Sequence, residues 1–224
     1  MKTLMKVVFL CCLFATTLSM NAQYVGYSDP DEKSIFFGVK SGINISDYHG
    51  VSTDKSRVGF NLGITVDFKV ATNWYVLTGL EYTVKGAKSK GYIEQDAPDG
   101  HKYNLRTKDN LNYLQLPLQA GYKFNLSDDV RLMVHAGGYM AYGVGGKATY
   151  DYEAIDGGTS WTDKIDFFGV GVGKFDYGVI GGVGVEYHKF VLDVSYELGL
   201  REYAKDHYNE SKNKNLAITL GYKF

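Results

Sequence analysis

Eight stretches of the chain alternate apolar and polar residues with a period of two, the pattern of a strand whose two faces meet different surroundings. The first, Ser34 to Ser46, sets Ile35, Phe37, Val39, Ile43 and Ile45 against Gly38, Lys40, Gly42 and Asn44. The second runs Val58, Phe60, Leu62, Ile64, Val66 and Phe68 against Gly59, Asn61, Gly63, Thr65, Asp67 and Lys69. The third places Trp74, Val76, Thr78, Leu80, Tyr82 and Val84 outside, with Gly79, Glu81, Thr83 and Lys85 inside. Four more follow from Leu114, Leu132, Phe175 and Phe190. The eighth sets Leu216, Ile218, Leu220, Tyr222 and Phe224 against Asn215, Ala217, Thr219, Gly221 and Lys223.

Each stretch is long enough for the ~9–11 tilted residues with which a β-strand crosses a bilayer. A soluble sandwich also alternates. Its polar face would meet solvent, however, and would rarely be so rich in glycine. Aromatics cap the apolar face where strands end at short turns: Phe68, Trp74, Tyr122, Phe124, Tyr187, Phe190, Tyr222 and Phe224. That is an aromatic girdle at one membrane interface. Connections alternate short and long, with Val70–Asn73, Asn125–Asp129 and His188–Lys189 as the short ones. Open edges are not viable in lipid, so the sheet must close. The fold expected over residues 34–224 is an all-β, eight-stranded antiparallel transmembrane barrel, an up-and-down meander with both ends on the periplasmic side.

The N-terminal segment bears on destination. Lys2 and Lys6 precede a core from Val7 to Leu18, about 12 residues and too short for the ~20 of a spanning helix. Small residues follow, so residues 1–22 read as a signal peptide and 23–33 as a short periplasmic lead. Both cysteines, Cys11 and Cys12, fall inside the core, leaving no disulfide framework and no thiol chemistry beyond it. Removing Lys2 and Lys6 from 24 basic residues leaves 22 against 25 acidic ones, a formal charge of −3. That balance leaves no footprint for nucleic acid. With 27 Gly, 19 Tyr and 3 Pro, the composition suits a barrel with a crowded interior and tyrosines at the interface.

Two resemblances sharpen the reading. Leu220, Tyr222 and Phe224 on the last alternating stretch resemble the terminal strand by which outer-membrane barrels are recognised for assembly. This implies the barrel-assembly machinery and outer-membrane lipid as partners. The segment Asn112-Tyr113-Leu114-Gln115-Leu116-Pro117-Leu118-Gln119-Ala120-Gly121-Tyr122-Lys123-Phe124 resembles the Y-L-x-[IL]-P-L signature of the outer-membrane barrel family of Bacteroidota that includes PorT-like proteins. The signal ending in Asn-Ala-Gln and the Gly-rich first strand fit as well. That resemblance implies a small barrel and, for some relatives, a role in protein secretion.

For chemistry, the inward face offers Lys40, Asp67, Lys69, Glu81, Lys85, Lys123, Arg131, His135, Glu186, Asp193, Glu197 and Arg201. Both signs occur. A network of paired charges filling a narrow barrel is the expected arrangement, built on Lys40, Glu81, Arg131, His135, Glu186, Asp193, Glu197 and Arg201; a conducting lumen or proton path is the alternative. No histidine has a serine two positions on, as lipid-deacylating barrels display, and no metal spacing occurs. Neither catalytic residues nor a cofactor nor a metal is expected. Function then falls to the outer loops. The loop Lys88–Asn110 turns at Ala97-Pro98-Asp99-Gly100, and a second hairpin has its tip at residues 156–161. A slip of parity between Val172 and Phe175 reads as a bulge. Tyr92, Tyr103 and Trp161 are the candidate contact residues for a protein partner. The expected role is a non-enzymatic surface scaffold, adhesion or interaction protein, with a secretion accessory and a small-solute pore as alternatives.

Overall fold

The computed structural model describes residues 34–49, 55–93, 102–155, 157–169, 173–201 and 212–224. The signal segment, the lead and the turn at 97–100 lie outside these. Ten strands account for most of the rest: β1 Ile35–His49, β2 Lys55–Lys69, β3 Trp74–Lys85, β4 Ala87–Ile93, β5 Tyr103–Asn125, β6 Val130–Ala154, β7 Trp161–Asp166, β8 Phe175–Tyr187, β9 Phe190–Gly199 and β10 Lys212–Lys223.

Antiparallel pairing runs β1–β2–β3–β5–β6–β8–β9–β10 and returns to β1, where Ile43 faces Ile218. The ring of eight is closed, so no edge is left unpaired within the wall. Ile43, Leu62, Leu80, Leu118, Val134, Val183, Leu192 and Ile218, one from each member of the ring, all point outward and are more than a third exposed. An apolar belt with alternate residues turned into a polar interior is the transmembrane barrel pattern.

The short connections gather at one end. Val70 N–H donates to the Trp74 carbonyl (2.9 Å), Leu126 N–H to the Val130 carbonyl (2.9 Å), and His188–Lys189 joins β8 to β9. Around this turn end the girdle aromatics touch in pairs: Trp74 with Tyr122 at 5.0 Å between ring centres, Phe190 with Tyr222 at 5.3 Å, Tyr222 with Phe224 at 5.7 Å. Leu220 and Phe224 point outward, and Phe224 N–H bonds the Phe37 carbonyl at 2.9 Å.

At the opposite, loop end the wall departs from simple alternation. β4 continues β3 along β5 in unbroken register, Lys85 facing Leu111 and Lys88 facing Lys108. Against β2 the pairing stops at Asn61–Thr83 and resumes at Ser56–Ala87, one residue out of step. Val84, expected toward lipid, is therefore folded into the buckle and only 4% exposed. Gly86, at φ +146°, makes the junction. The register of β5 with β6 shifts at Asn112/Tyr113, which marks the wall's bulge. The slip expected between Val172 and Phe175 falls in part on residues outside those described. β7 ends at Asp166, a 3₁₀ turn covers Phe167–Gly169, and β8 begins at Phe175, with 170–172 outside the described residues.

Candidate functional site

The interior is layered. Nearest the turn end, Lys223 Nζ lies 2.6 Å from both Asp67 and Glu186, and Lys123 Nζ lies 3.2 and 3.1 Å from the same two carboxylates. Arg131 completes the group on Glu186. The Lys123 ammonium stands 3.9 Å over the Tyr75 ring centre, a cation–π contact inside an excluded space. A small apolar layer of Tyr75, Leu77, Met133 and Val191 follows.

Beyond it, Lys40 pairs with Glu81 at 2.6 Å, and His135 Nε2 meets Asp193 at 2.7 Å while its Nδ1 meets Gln119. A cavity of about 80 Å³ lies between these layers. The next layer is the driest. Lys85, 0% exposed, lies 2.6 Å from Glu197 and donates to Gln115 Oε1 at 2.7 Å. Gln115 and Asn215 in turn donate to Glu197 at 2.7 and 3.1 Å. Burying single ions would cost several kcal/mol each, and the neutral amides supply the bonds that pairing alone leaves unmade.

Near the loop end Asn44 and Ser46 on β1 reach across β2 to the buckle. Asn44 Nδ2 donates to the Val84 carbonyl at 3.2 Å and Ser46 Oγ to the Gly86 carbonyl at 2.9 Å, while Arg57 Nη1 donates to the Lys85 carbonyl at 3.1 Å. Side chains thus satisfy the carbonyls that the missing β2–β3 ladder leaves behind. A second apolar layer closes the mouth: Leu111, Tyr113, Tyr139, Ala141 and Ile180, with Tyr48, Phe167 and Phe168 packed on them. Phe168 sits where a Cβ on Gly143 would be, 2.3 Å from its ring. The 3₁₀ turn therefore plugs the mouth with an aromatic whose ring tip fills the space left beside Gly143. Above the plug Tyr48 donates to Asp109 at 3.1 Å. Burial, followed by the neighbouring carboxylate, raises the phenol well above its ordinary pKa. Burial likewise raises the Asp109 carboxyl, although the Tyr48 hydroxyl and Arg57 oppose it.

Past the plug the strands keep going. β5 and β6 stay paired up to Tyr103–Ala154, with β4 and β7 on their flanks. β5 has 23 residues and β6 has 25, about twice the ~9–11 a bilayer needs. The result is a four-stranded sheet, β4–β5–β6–β7, standing above the wall.

Of the eight residues expected in the interior network, the structure brings together Lys40 with Glu81, Arg131 with Glu186, and His135 with Asp193, and gives Glu197 to Lys85. Arg201 does not join. It follows the end of β9 and donates to the Phe175 carbonyl, while Asp176, the inward carboxylate of the neighbouring strand at that height, accepts from Tyr139 and Asn213 instead. Tyr103, expected as an exposed contact, is 1% exposed: it points to the inner side of the outer sheet, edge-on to Trp161 at 4.8 Å. Trp161 is 39% exposed and stacked on Tyr152 at 4.5 Å. The backbone of Tyr92 pairs with Asn104, and its side chain lies outside the described residues. Sequence reading left out Lys223, Asp176 and the amides Asn44, Asn61 and Asn215, all of which carry the inward parity. It also left out Arg57, which carries the same parity two positions before Gly59, just outside the second alternating stretch.

A family model described as outer membrane protein beta-barrel domain matches residues 21–205. Among curated proteins, none matches the chain. The chain is similar to the solved structure of Ail, the attachment invasion locus protein of Yersinia pestis, at 18% identity over 85% of this chain and 97% of that one, TM-score 0.38. It is similar to Neisserial surface protein A at 16% identity, covering 86% and 98%, TM-score 0.39. The outer membrane protein OprG of Pseudomonas aeruginosa gives 12% identity, 86% and 97%, TM-score 0.35.

Proposed function

The chain belongs to the outer membrane protein β-barrel domain family, and from that premise we propose that it is a non-enzymatic surface protein whose filled barrel holds an interaction sheet above the outer leaflet. The observation that carries this reading is the unbroken pairing of β5 with β6 up to Tyr103–Ala154, flanked by β4 and β7. Short turns face the periplasm in such barrels, which puts the sheet outside the cell. The exposed strand β7 bonds β6 through one edge only among the described residues, and a free edge is a template for an added strand. Against catalysis stands the engagement of both His135 ring nitrogens, by Asp193 and Gln119. Against a pore stand the ion-pair layers and the aromatic plug.

A second reading, an accessory of protein secretion, draws on the resemblance of residues 112–124 to PorT-like barrels. In that segment Gln115 and Gln119 hold Glu197 and His135, so its polar positions serve the barrel's own interior.

The test is topology and contact together. Epitope tags at Gly100 and Gly158 should be visible on intact cells, and a photo-crosslinking residue at Asp163 should yield a discrete protein adduct that the same residue at Leu62 does not. Tags seen only after permeabilisation would invert the topology and end the reading. Steady planar-bilayer conductance with no adduct from β7 would favour the pore.

A further inference from the structure

The inward charges do not balance at the turn end. Outside the apolar layer of Tyr75, Leu77, Met133 and Val191, the described strands carry Lys69, Lys123, Arg131 and Lys223 at inward positions, against Asp67 and Glu186. Four cations against two acids leave a surplus of two positive charges. Lys123 and Lys223 share the two carboxylates between them. Arg131, the second residue of β6, is a third cation on Glu186, and its side chain is 35% exposed. One layer further in the charges match one to one, Lys40 with Glu81 and His135 with Asp193. The turns themselves carry Asp128, Asp129 and Lys189, with Asp129 3.5 Å from His188.

The chain enters the wall at this mouth. Lys69 N–H donates to the Ser34 carbonyl at 2.7 Å, and Phe36 packs on the apolar layer. Immediately before Ser34 the sequence reads Asp29-Pro30-Asp31-Glu32-Lys33, three acids and one base. Their net charge is equal and opposite to the surplus. Pro30 has no N–H to give a ladder, so this stretch is a poor continuation of β1.

Reach matches charge. Glu32 and Asp31 lie two and three positions from Ser34, hence within ~7 and ~10 Å of it along the chain. Strands ~4.8 Å apart and tilted ~40° close eight into a ring about 16 Å across. Arg131 on β6 stands directly across that ring from β1, by way of β2, β3 and β5. A carboxylate carried on the chain before β1 and the guanidinium of Arg131 can therefore meet over the middle of the mouth.

We propose that residues 29–32 dock across the turn-end mouth, their carboxylates taking Arg131 and Lys69 and supplying the negative charge that the interior lacks. The chain's own segment is favoured over a separate partner because its tether beside the mouth holds these carboxylates at high local concentration. The proposal is independent of which side of the membrane the outer sheet faces.

The experiment follows chymotrypsin cleavage after Tyr27, by mass spectrometry, in the full chain refolded in detergent at low ionic strength. The wild type is compared with D29N/D31N/E32Q, with R131Q and with all four changes together. Cleavage tracks the undocked fraction when docking is fast, so the wild type should be cut about tenfold more slowly than D29N/D31N/E32Q. R131Q should be cut faster than the wild type, and the combined variant no faster than D29N/D31N/E32Q alone. Sodium chloride at about 0.5 M, where screening acts within ~4 Å, should bring the wild type to the variant's rate. D29N/D31N/E32Q alters no residue of the wall, so the test stands even if R131Q does not fold.

Equal rates for the wild type and D29N/D31N/E32Q at low salt would overturn the proposal. Cleavage of R131Q as slow as that of the wild type would also overturn it, by placing the acids on another seat.

Discussion

The ammonium of Lys223 lies 2.6 Å from the Asp67 carboxylate, although 156 positions separate them. Lys223 is on β10, which closes the ring against β1; Asp67 is on β2 and the other partner, Glu186, on β8. The pair therefore ties the closing strand across the interior to both sides of the seam. Lys223→Met should leave two carboxylates to Lys123 and Arg131. Removing one member of a buried pair costs ~3–5 kcal/mol, and the remaining cations should hold the loss to the lower end. Urea unfolding in lipid vesicles measures it. A stability change within error of wild type would show that the cluster does not hold the seam.

Gly86 and Gly157 both have positive φ, +146° and +96°, but only the first is crowded: a Cβ there would lie 2.2 Å from the Asp109 carbonyl, while nothing lies within 4 Å of the second. Gly157→Ala should lose only about 1 kcal/mol of backbone preference. Gly86→Ala should force β4 from β5 and sharply lower the yield of heat-modifiable barrel. Equal yields would mean that the buckle tolerates displacement.

Asp109 gives the outer rim a pH dependence. Burial holds its carboxyl above the ordinary value, with the Tyr48 hydroxyl and Arg57 pulling the other way. A carboxyl raised on folding binds its proton more tightly in the folded state. Its contribution is fully present below the unfolded value of ~3.9 and is lost as pH rises through the folded value. Asp109→Asn still accepts from Tyr48 and carries no charge, so the variant should gain on wild type at neutral pH. That advantage should shrink toward about pH 4. Denaturant midpoints across that range test it, and an advantage independent of pH would rule out the carboxyl as the cause.

The wall was legible in the sequence because a period of two survives any twist or tilt. Leu62 and Asn61 sort to opposite faces whatever their neighbours are. Partners inside the barrel were not legible, since Lys85 meets Glu197 and Lys223 meets Asp67 only once the register of distant strands is set. The buckle at Gly86 leaves no trace in the pattern, because Lys85 and Ala87 keep the same parity on either side of it. Phe167–Phe168 falls outside the alternating stretches, and in one dimension an aromatic pair that follows a strand and turns into the mouth carries no mark of that role. Tyr103 misled for a related reason. Continued alternation above the membrane was visible, while the Trp161 that covers it belongs to another hairpin.

The two faces should fail differently when given the same charge. Leu62 is 57% exposed near the middle of the belt, where an arginine costs about 2–4 kcal/mol in lipid. Gln115 is fully buried with its Oε1 2.7 Å from the Lys85 ammonium, so arginine there brings two cations together and removes a ligand of Glu197. Leu62→Arg should therefore be tolerated in detergent and penalised in vesicles, and Gln115→Arg penalised in both. Comparing refolding yields in the two media is sufficient. Leu62→Arg failing equally in detergent would place that residue in a packed contact rather than against lipid.

The outer sheet should come apart without the barrel. Tyr103 closes its inner side, edge-on to Trp161, which is itself stacked on Tyr152, so three strands meet in one aromatic cluster. Burying an aromatic of this size contributes ~3–5 kcal/mol by truncation to alanine. Along β5, Asp109 and Tyr113, the residue against which Phe168 packs, lie six and ten positions below Tyr103. Tyr103→Ala should expose the segment 157–160 to added protease while leaving the heat-modifiable barrel and its urea midpoint near wild type. Trp161→Ala should do the same to a smaller degree, since half of that ring's role is to cover Tyr103. Loss of barrel folding in Tyr103→Ala would show that the sheet and the wall form one cooperative unit, and the outer sheet could then not be altered by evolution or design independently of the membrane domain.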